Sequence, residues 1–175
     1  MELIKDNKDL LFKIFIVGGL FGFIYEEIFY YFDLGKFVKR GITFGPWIPI
    51  YAFGAVLIFL SCYKIKDKPL YIFLIGTIVS AILEFVVGYL LYHIGGIRLW
   101  DYSVEILNFG NIGGYVCLRS ILFFGISGLI LFFIVVPLLE LINKKYDNKI
   151  NYNITYGMLS LFVFDIIVSS ILFIV

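Results

Sequence analysis

Apolar residues in this chain come in runs rather than in narrow stripes or strict alternation. Five runs stand out, at about residues 10–32, 47–63, 70–93, 115–142 and 154–175. A helix needs about 20 apolar residues to cross a hydrocarbon core of roughly 30 Å, so the pattern predicts an all-α polytopic bundle of about five spans. The whole chain, residues 1–175, reads as a single integral membrane domain. Two connections, "KIKDKP" and "NKKYDNKINYN", are short, polar and lysine-rich. The other two, "DLGKFVKRGITFGPWIP" and "GGIRLWDYSVEILNFGNIGG", are longer and mix glycines, aromatics and charges. Loops of that size beside short connections are usually functional or disordered, and the aromatics in both argue for order.

The polar interruptions of the runs are themselves patterned. Gly18, Gly22 and Glu26 follow at i, i+4, i+8, and Gly76, Ser80, Glu84 and Gly88 repeat the spacing; each step of four drifts only about 40° around a helix. Gly157, Asp165 and Ser169 are expected to form a third stripe. Small residues mark the faces on which membrane helices approach one another. The carboxylates on these stripes are therefore expected to point inward, since an ionised group at a span centre costs about 2.5–3.5 kcal/mol on insertion scales. Helical rise puts Glu26 roughly 9 Å, Glu84 roughly 13 Å and Arg119 roughly 6 Å from the outer ends of their spans.

Composition agrees with the pattern: 62% hydrophobic residues and a mean hydropathy of +1.01 are far from soluble globular values. The first run has no small-residue cleavage site and holds Glu26 and Glu27, so it reads as a retained span and not a signal peptide. A net charge of +1 gives no basic surface for nucleic acid. Lys5, Lys8, Lys13, Lys64, Lys66, Lys68, Lys144, Lys145 and Lys149 flank one side of the expected bundle, against Lys36, Lys39, Arg40 and Arg98 on the other. The lysine-rich side is expected to be cytoplasmic, with the N-terminus inside and the C-terminus outside. No metal-ligand spacing, CxxC pair or P-loop occurs, and no cofactor is expected; Cys62 and Cys117 belong to opposite ends of their spans, and His93 is the only histidine.

The unusual residues thus collect at the outer end. The expected candidate site is a polar cavity lined by Glu26, Arg40, Glu84, Asp101 and Arg119, with Glu27, Gly45, Pro46, Tyr51, Arg98, Trp100, Tyr102, Ser103, Asn108, Asn111 and Asp165 as further candidates. Pro46 and Pro49 lack N–H groups and Gly41 and Gly45 admit positive φ, which predicts an irregular entry into the second span. Asp101 and Ser103 are expected to cap a short interfacial helix through "VEILNF". The same charged cluster also reads as an ion-pair network that sets helix register.

Over residues 18–137 the chain resembles a family of small bacterial integral membrane proteins described as putative ABC-transporter type IV. The residues that carry the resemblance are Glu26; "RGITFGPWIPIY" with Arg40, Gly41, Gly45, Pro46, Pro49, Ile50 and Tyr51; Gly54; Leu83 and Glu84; "WDYS" from Trp100 to Ser103; Asn108 or Asn111; and Ser120 with Gly125. It departs from that pattern at Lys39, at Tyr92 and at Gly114, Tyr115 and Val116. The resemblance implies a permease or substrate-capture component in the cytoplasmic membrane, with a homodimer and a separate ATPase as partners. Two alternatives stand beside it: an enzyme or binding protein for a lipid or lipid-linked substrate at the outer leaflet, and an accessory protein whose polar cluster is structural.

Overall fold

The computed structural model describes residues 7–174 and is all-helical, with no strand among the described residues. Lys5 and Val175, which figured in the charge pattern and the fifth run, lie outside them. The helices are α1 (Lys8–Leu34), α2 (Pro49–Cys62), α3 (Pro69–His93), α4 (Leu118–Lys145) and α5 (Asn148–Ile174). A 3₁₀ turn, Tyr63–Ile65, extends α2.

Two helix ends and one helix irregularity have a local cause. Gly35 ends α1 in a left-handed conformation (φ 68°) and returns its N–H to the Tyr31 carbonyl. Pro69 opens α3, where its missing N–H costs nothing. Within α4, Pro137 cannot donate to the preceding turn, and residues Leu131–Val135 widen into a π-helical turn just before it.

The protein is a membrane protein: α3, α4 and residues 148–172 of α5 are long and apolar enough to cross a bilayer. Of the five expected spans, α2 is shorter, at 14 residues, because the Gly/Pro segment before it stays irregular. α1 has the length, 27 residues, and carries Lys8, Asp9, Lys13, Glu26, Glu27 and Asp33 along it.

One expected boundary and one expected helix are corrected. α5 starts at Asn148, not near 154, because Asp147 Oδ1 accepts the Lys149 N–H at 2.7 Å and caps the helix inside the polar tract. The helix expected through "VEILNF" does not form. Residues 101–117 run through turns, with Leu107, Gly110, Gly113 and Gly114 at positive φ, as side chains of Asp101, Asn108 and Asn111 take backbone partners that a helix would need.

The chain divides into two compact units, Met1–Val56 with Phe133–Val175, and Leu57–Phe132. In the first, α1 packs against α5 and against Val136–Lys145. Gly18, Gly19 and Gly22 let the helix meet Ala52, Tyr51 and the Phe162 ring closely, and Trp47 stacks on Phe162 at 4.8 Å. In the second, α3 packs along Leu118–Ile130. Its buried face is Ile72, Gly76, Ser80, Glu84 and Gly88, laid against Ser120, Phe124, Gly125 and Gly128. Lipid is as apolar as leucine, so this contact depends on close packing of small residues and on hydrogen bonds.

Gly157 does not share the face of Asp165 and Ser169. It is exposed, and a Cβ built on it would meet nothing within 4 Å. Eight helical steps from Gly157 to Asp165 rotate about 80°, and the buried face instead follows Asn151, Thr155, Phe162, Asp165 and Ser169.

Candidate functional site

In the first unit the segment between α1 and α2 is folded around a carboxylate from α5. Asp165 accepts from the Phe44 N–H (2.9 Å), the Gly45 N–H (2.7 Å), Trp47 Nε1 (2.7 Å) and Ser169 Oγ (2.8 Å). Four donors match the acceptor capacity of a carboxylate. Gly45 is required there, since a Cβ would lie 2.6 Å from the Trp47 ring and 2.9 Å from Asp165 Oδ2. Thr43, fully buried, donates to the Trp47 carbonyl at 2.6 Å, and the Ile48 N–H reaches the Gly19 carbonyl at 3.0 Å. Pro46 is exposed at the turn, and Tyr51, buried, lies against Gly22.

Above this anchor Arg40 folds back onto the C-terminal part of α1. Its Nε donates to Glu26 Oε2 at 3.2 Å, its backbone N–H to Glu27 Oε1 at 2.9 Å, and its guanidinium carbon lies 3.6 Å from the centre of the buried Tyr30 ring. Stacking on a tyrosine face suits the planar, weakly hydrated guanidinium.

In the second unit Glu84, 3% exposed, accepts from the Tyr102 hydroxyl at 2.6 Å and from Ser120 Oγ. The two hydroxyls are 3.2 Å apart. Arg119 stands at the second residue of α4, not a full turn inside it, because α4 begins only at Leu118. A cation there opposes the helix dipole, and Arg119 Nη2 pairs with the buried Glu105 carboxylate at 2.5 Å. The guanidinium also lies 5.4 Å from the Tyr102 ring centre, so Glu105, Arg119, Tyr102, Glu84 and Ser120 form one chain of contacts. Burial first, and then the Glu84 charge and hydrogen bond, push the Tyr102 hydroxyl well above its ordinary range. It stays a neutral donor.

The rest of this loop is held by its own side chains. Arg98 donates to the Gly113 carbonyl at 2.8 Å, pairs with Asp101 at 3.1 Å and lies over the Tyr92 and Tyr115 rings. Trp100 Nε1 donates to the Tyr115 carbonyl, Asn108 to the Ser103 carbonyl, and the Gly114 N–H to Asn111. Asp101 Oδ1 accepts from both the N–H and the Oγ of Ser103. Burial pushes the Asp101 carboxyl upward, but the Ser103 hydrogen bonds and the Arg98 charge prevail and hold it below the usual carboxylate range. A carboxylate so held is a weak base, and the Asp101–Ser103 pair is a turn.

Of the five residues expected around one cavity, Glu26 and Arg40 meet in the first unit, Glu84 and Arg119 are linked through Tyr102 in the second, and Asp101 is engaged by Arg98 and Ser103. Sequence reasoning did not single out Glu105, Tyr30 or Thr43. For Glu105 the signal was a lone acid within the apolar "VEILNF". Among the described residues no three His, Cys, Asp or Glu side chains gather to hold a metal ion. The sequence model of one family, described as putative ABC-transporter type IV, matches residues 13–170. No curated protein and no solved structure matches the chain.

Proposed function

The chain belongs to the putative ABC-transporter type IV family, and from that premise we propose that it is a permease or substrate-capture component that draws energy from a separate ATPase. The observation that carries this reading is Glu84, a buried carboxylate on an otherwise apolar spanning helix, held by two hydroxyls. Hydroxyls both donate and accept and rotate freely, so the carboxylate can exchange them for a polar or cationic ligand at small cost. Intramembrane carboxylates in such settings commonly serve solute or ion passage. The lysine-rich side is assigned to the cytoplasm of a bacterial cell, with the C-terminus outside, and two chains together would make a wall thick enough for a path.

A second reading, capture of a lipid or lipid-linked substrate at the outer leaflet, is supported by the loop after α1. Phe37 and Phe44 are exposed there beside Lys39 and the stacked Arg40, the composition of a segment that sits among headgroups.

The test is purification of the tagged full-length chain in mild detergent, with mass spectrometry of co-purified proteins, solutes and lipids. A nucleotide-binding subunit whose ATP hydrolysis in proteoliposomes depends on the chain is the expected result, and Glu84→Gln should release the bound solute. Wild-type chain that stimulates no ATPase and carries the same solutes as Glu84→Gln would overturn the transport reading. Retention of lipid in wild type and its loss in Arg40→Ala would favour the second.

A further inference from the structure

A cavity of about 320 Å³ lies inside the first unit, at the end opposite the Asp165 anchor. Its walls come from α1, the C-terminal part of α4 and the start of α5: Val17, Leu139, Ile142, Ile150, Ile154 and Met158 are among the apolar lining. The volume is at the lower end of the range for small-molecule sites, about 300–1,000 Å³.

The polar groups in this wall make almost no demand on an occupant. Thr155 Oγ1 donates to the Asn151 carbonyl at 2.8 Å, and Asn151 Nδ2 donates to the Tyr146 carbonyl at 3.2 Å. What enters must therefore be apolar. Lys13 differs: it is 8% exposed, its stem lines the cavity, and its ammonium donates to Asp9 Oδ2 at 2.7 Å and to Asn143 Oδ1. Two of three N–H donors are used. Among the described residues around the same end Lys8, Lys144, Lys145 and Lys149 are exposed, and with Lys13 they outnumber Asp9, Glu140 and Asp147.

We infer that this groove seats an acyl chain of one anionic phospholipid, whose headgroup is held by Lys13 and the lysines of the α4–α5 connection. An apolar slot beside a surplus of cations suits an anionic amphiphile better than a zwitterionic lipid of the same chains, and does not suit a polar solute. This is independent of the transport reading, which concerns other residues.

The experiment uses the full-length chain, delipidated in detergent, with native mass spectrometry of added phosphatidylglycerol and phosphatidylcholine of identical chains. One phosphatidylglycerol should bind at least about tenfold more tightly than phosphatidylcholine. Replacing Lys144, Lys145 and Lys149 together by Gln should bring that preference below about threefold, and Val17→Trp should abolish the bound lipid by filling the slot. Equal binding of the two lipids by wild type, or an unchanged preference in the triple variant, overturns the inference. Since Val17→Trp risks misfolding, a phosphatidylglycerol with a photoreactive acyl chain gives an independent answer on wild type. Crosslinks at Ile142, Ile150 or Ile154 support the site; crosslinks confined to other helices overturn it.

Discussion

The loops that follow α1 and α3 are built from the same kinds of residue, yet they are held in opposite ways. The first is gripped from outside: a carboxylate on α5 collects two backbone N–H groups and an indole, and a carbonyl of α1 takes a third N–H. The second closes on itself through Tyr102 N–H to Gly114, Ile112 N–H to Val116 and Leu118 N–H to Phe109, with Glu84 reaching in from α3 to a hydroxyl. Asp165 and Glu84 therefore do different work. Two fixed backbone N–H groups and an indole, with one hydroxyl, saturate Asp165 and make it an anchor, whereas the donors described on Glu84 are both hydroxyls, which on the proposed reading lets it change partner.

The sharpest way to break this contrast is to remove each carboxylate. Asp165→Ala should destabilise the protein by at least about 3 kcal/mol, since four donors lose one acceptor and several are buried. Thermal melting in detergent and protease cleavage at residues 43–47 would read it. A melting point within a degree of wild type would mean the loop is held by something else. Glu84→Gln should cost only about 1–2 kcal/mol, because Tyr102 and Ser120 can reorient toward an amide. It should release bound solute while the melting point moves little; equal losses in both would make Glu84 an anchor too.

Glycines sharpen the comparison further. Gly45→Ala should cost about 1–3 kcal/mol through the clash with Trp47 and Asp165. By contrast Gly157→Ala, with open space around it, should stabilise α5 by about 0.5–1 kcal/mol. The smallest effect concerns acid. Asp101 has a lowered carboxyl, so its contribution is fully present above the ordinary aspartate range and is lost as pH falls through its depressed folded value. The protection of the Ser103 amide against hydrogen exchange, taken relative to the intrinsic rate at each pH, should hold from neutral to mildly acidic pH and fall only below that range; Asp101→Asn should lower it throughout.

Hydropathy alone located all five helices, because a run of apolar residues must be helical to satisfy its backbone in lipid. Two ends were not legible. Asp147 starts α5 inside a tract whose polarity looked like loop, and the loop after α3 substitutes side-chain hydrogen bonds for the helix its apolar residues suggested. Four-residue spacing placed Gly76, Ser80, Glu84 and Gly88 on one face because that face is set by local geometry. The partners were less visible, as Asp165 meets Gly45 across 120 residues of chain and Glu105 gave no periodic signal. Stripes built from unbroken four-residue steps are readable from spacing, whereas the eight-residue jump from Gly157 to Asp165 left the buried face; a carboxylate's partner depends on how loops return, which no short-range pattern encodes.

Both free thiols are buried, Cys62 and Cys117 alike at 0% exposure. For Cys117, burial also raises the thiol above its usual value, which lowers its thiolate fraction and its reactivity. The wild-type chain is therefore already a quiet background for maleimide chemistry. A single cysteine in place of exposed Phe37 or exposed Tyr146 could be labelled in sealed cells with a membrane-impermeant reagent, without first removing either native thiol. The sidedness assigned to the lysine-rich end would then be read directly, as labelling at 37 and none at 146.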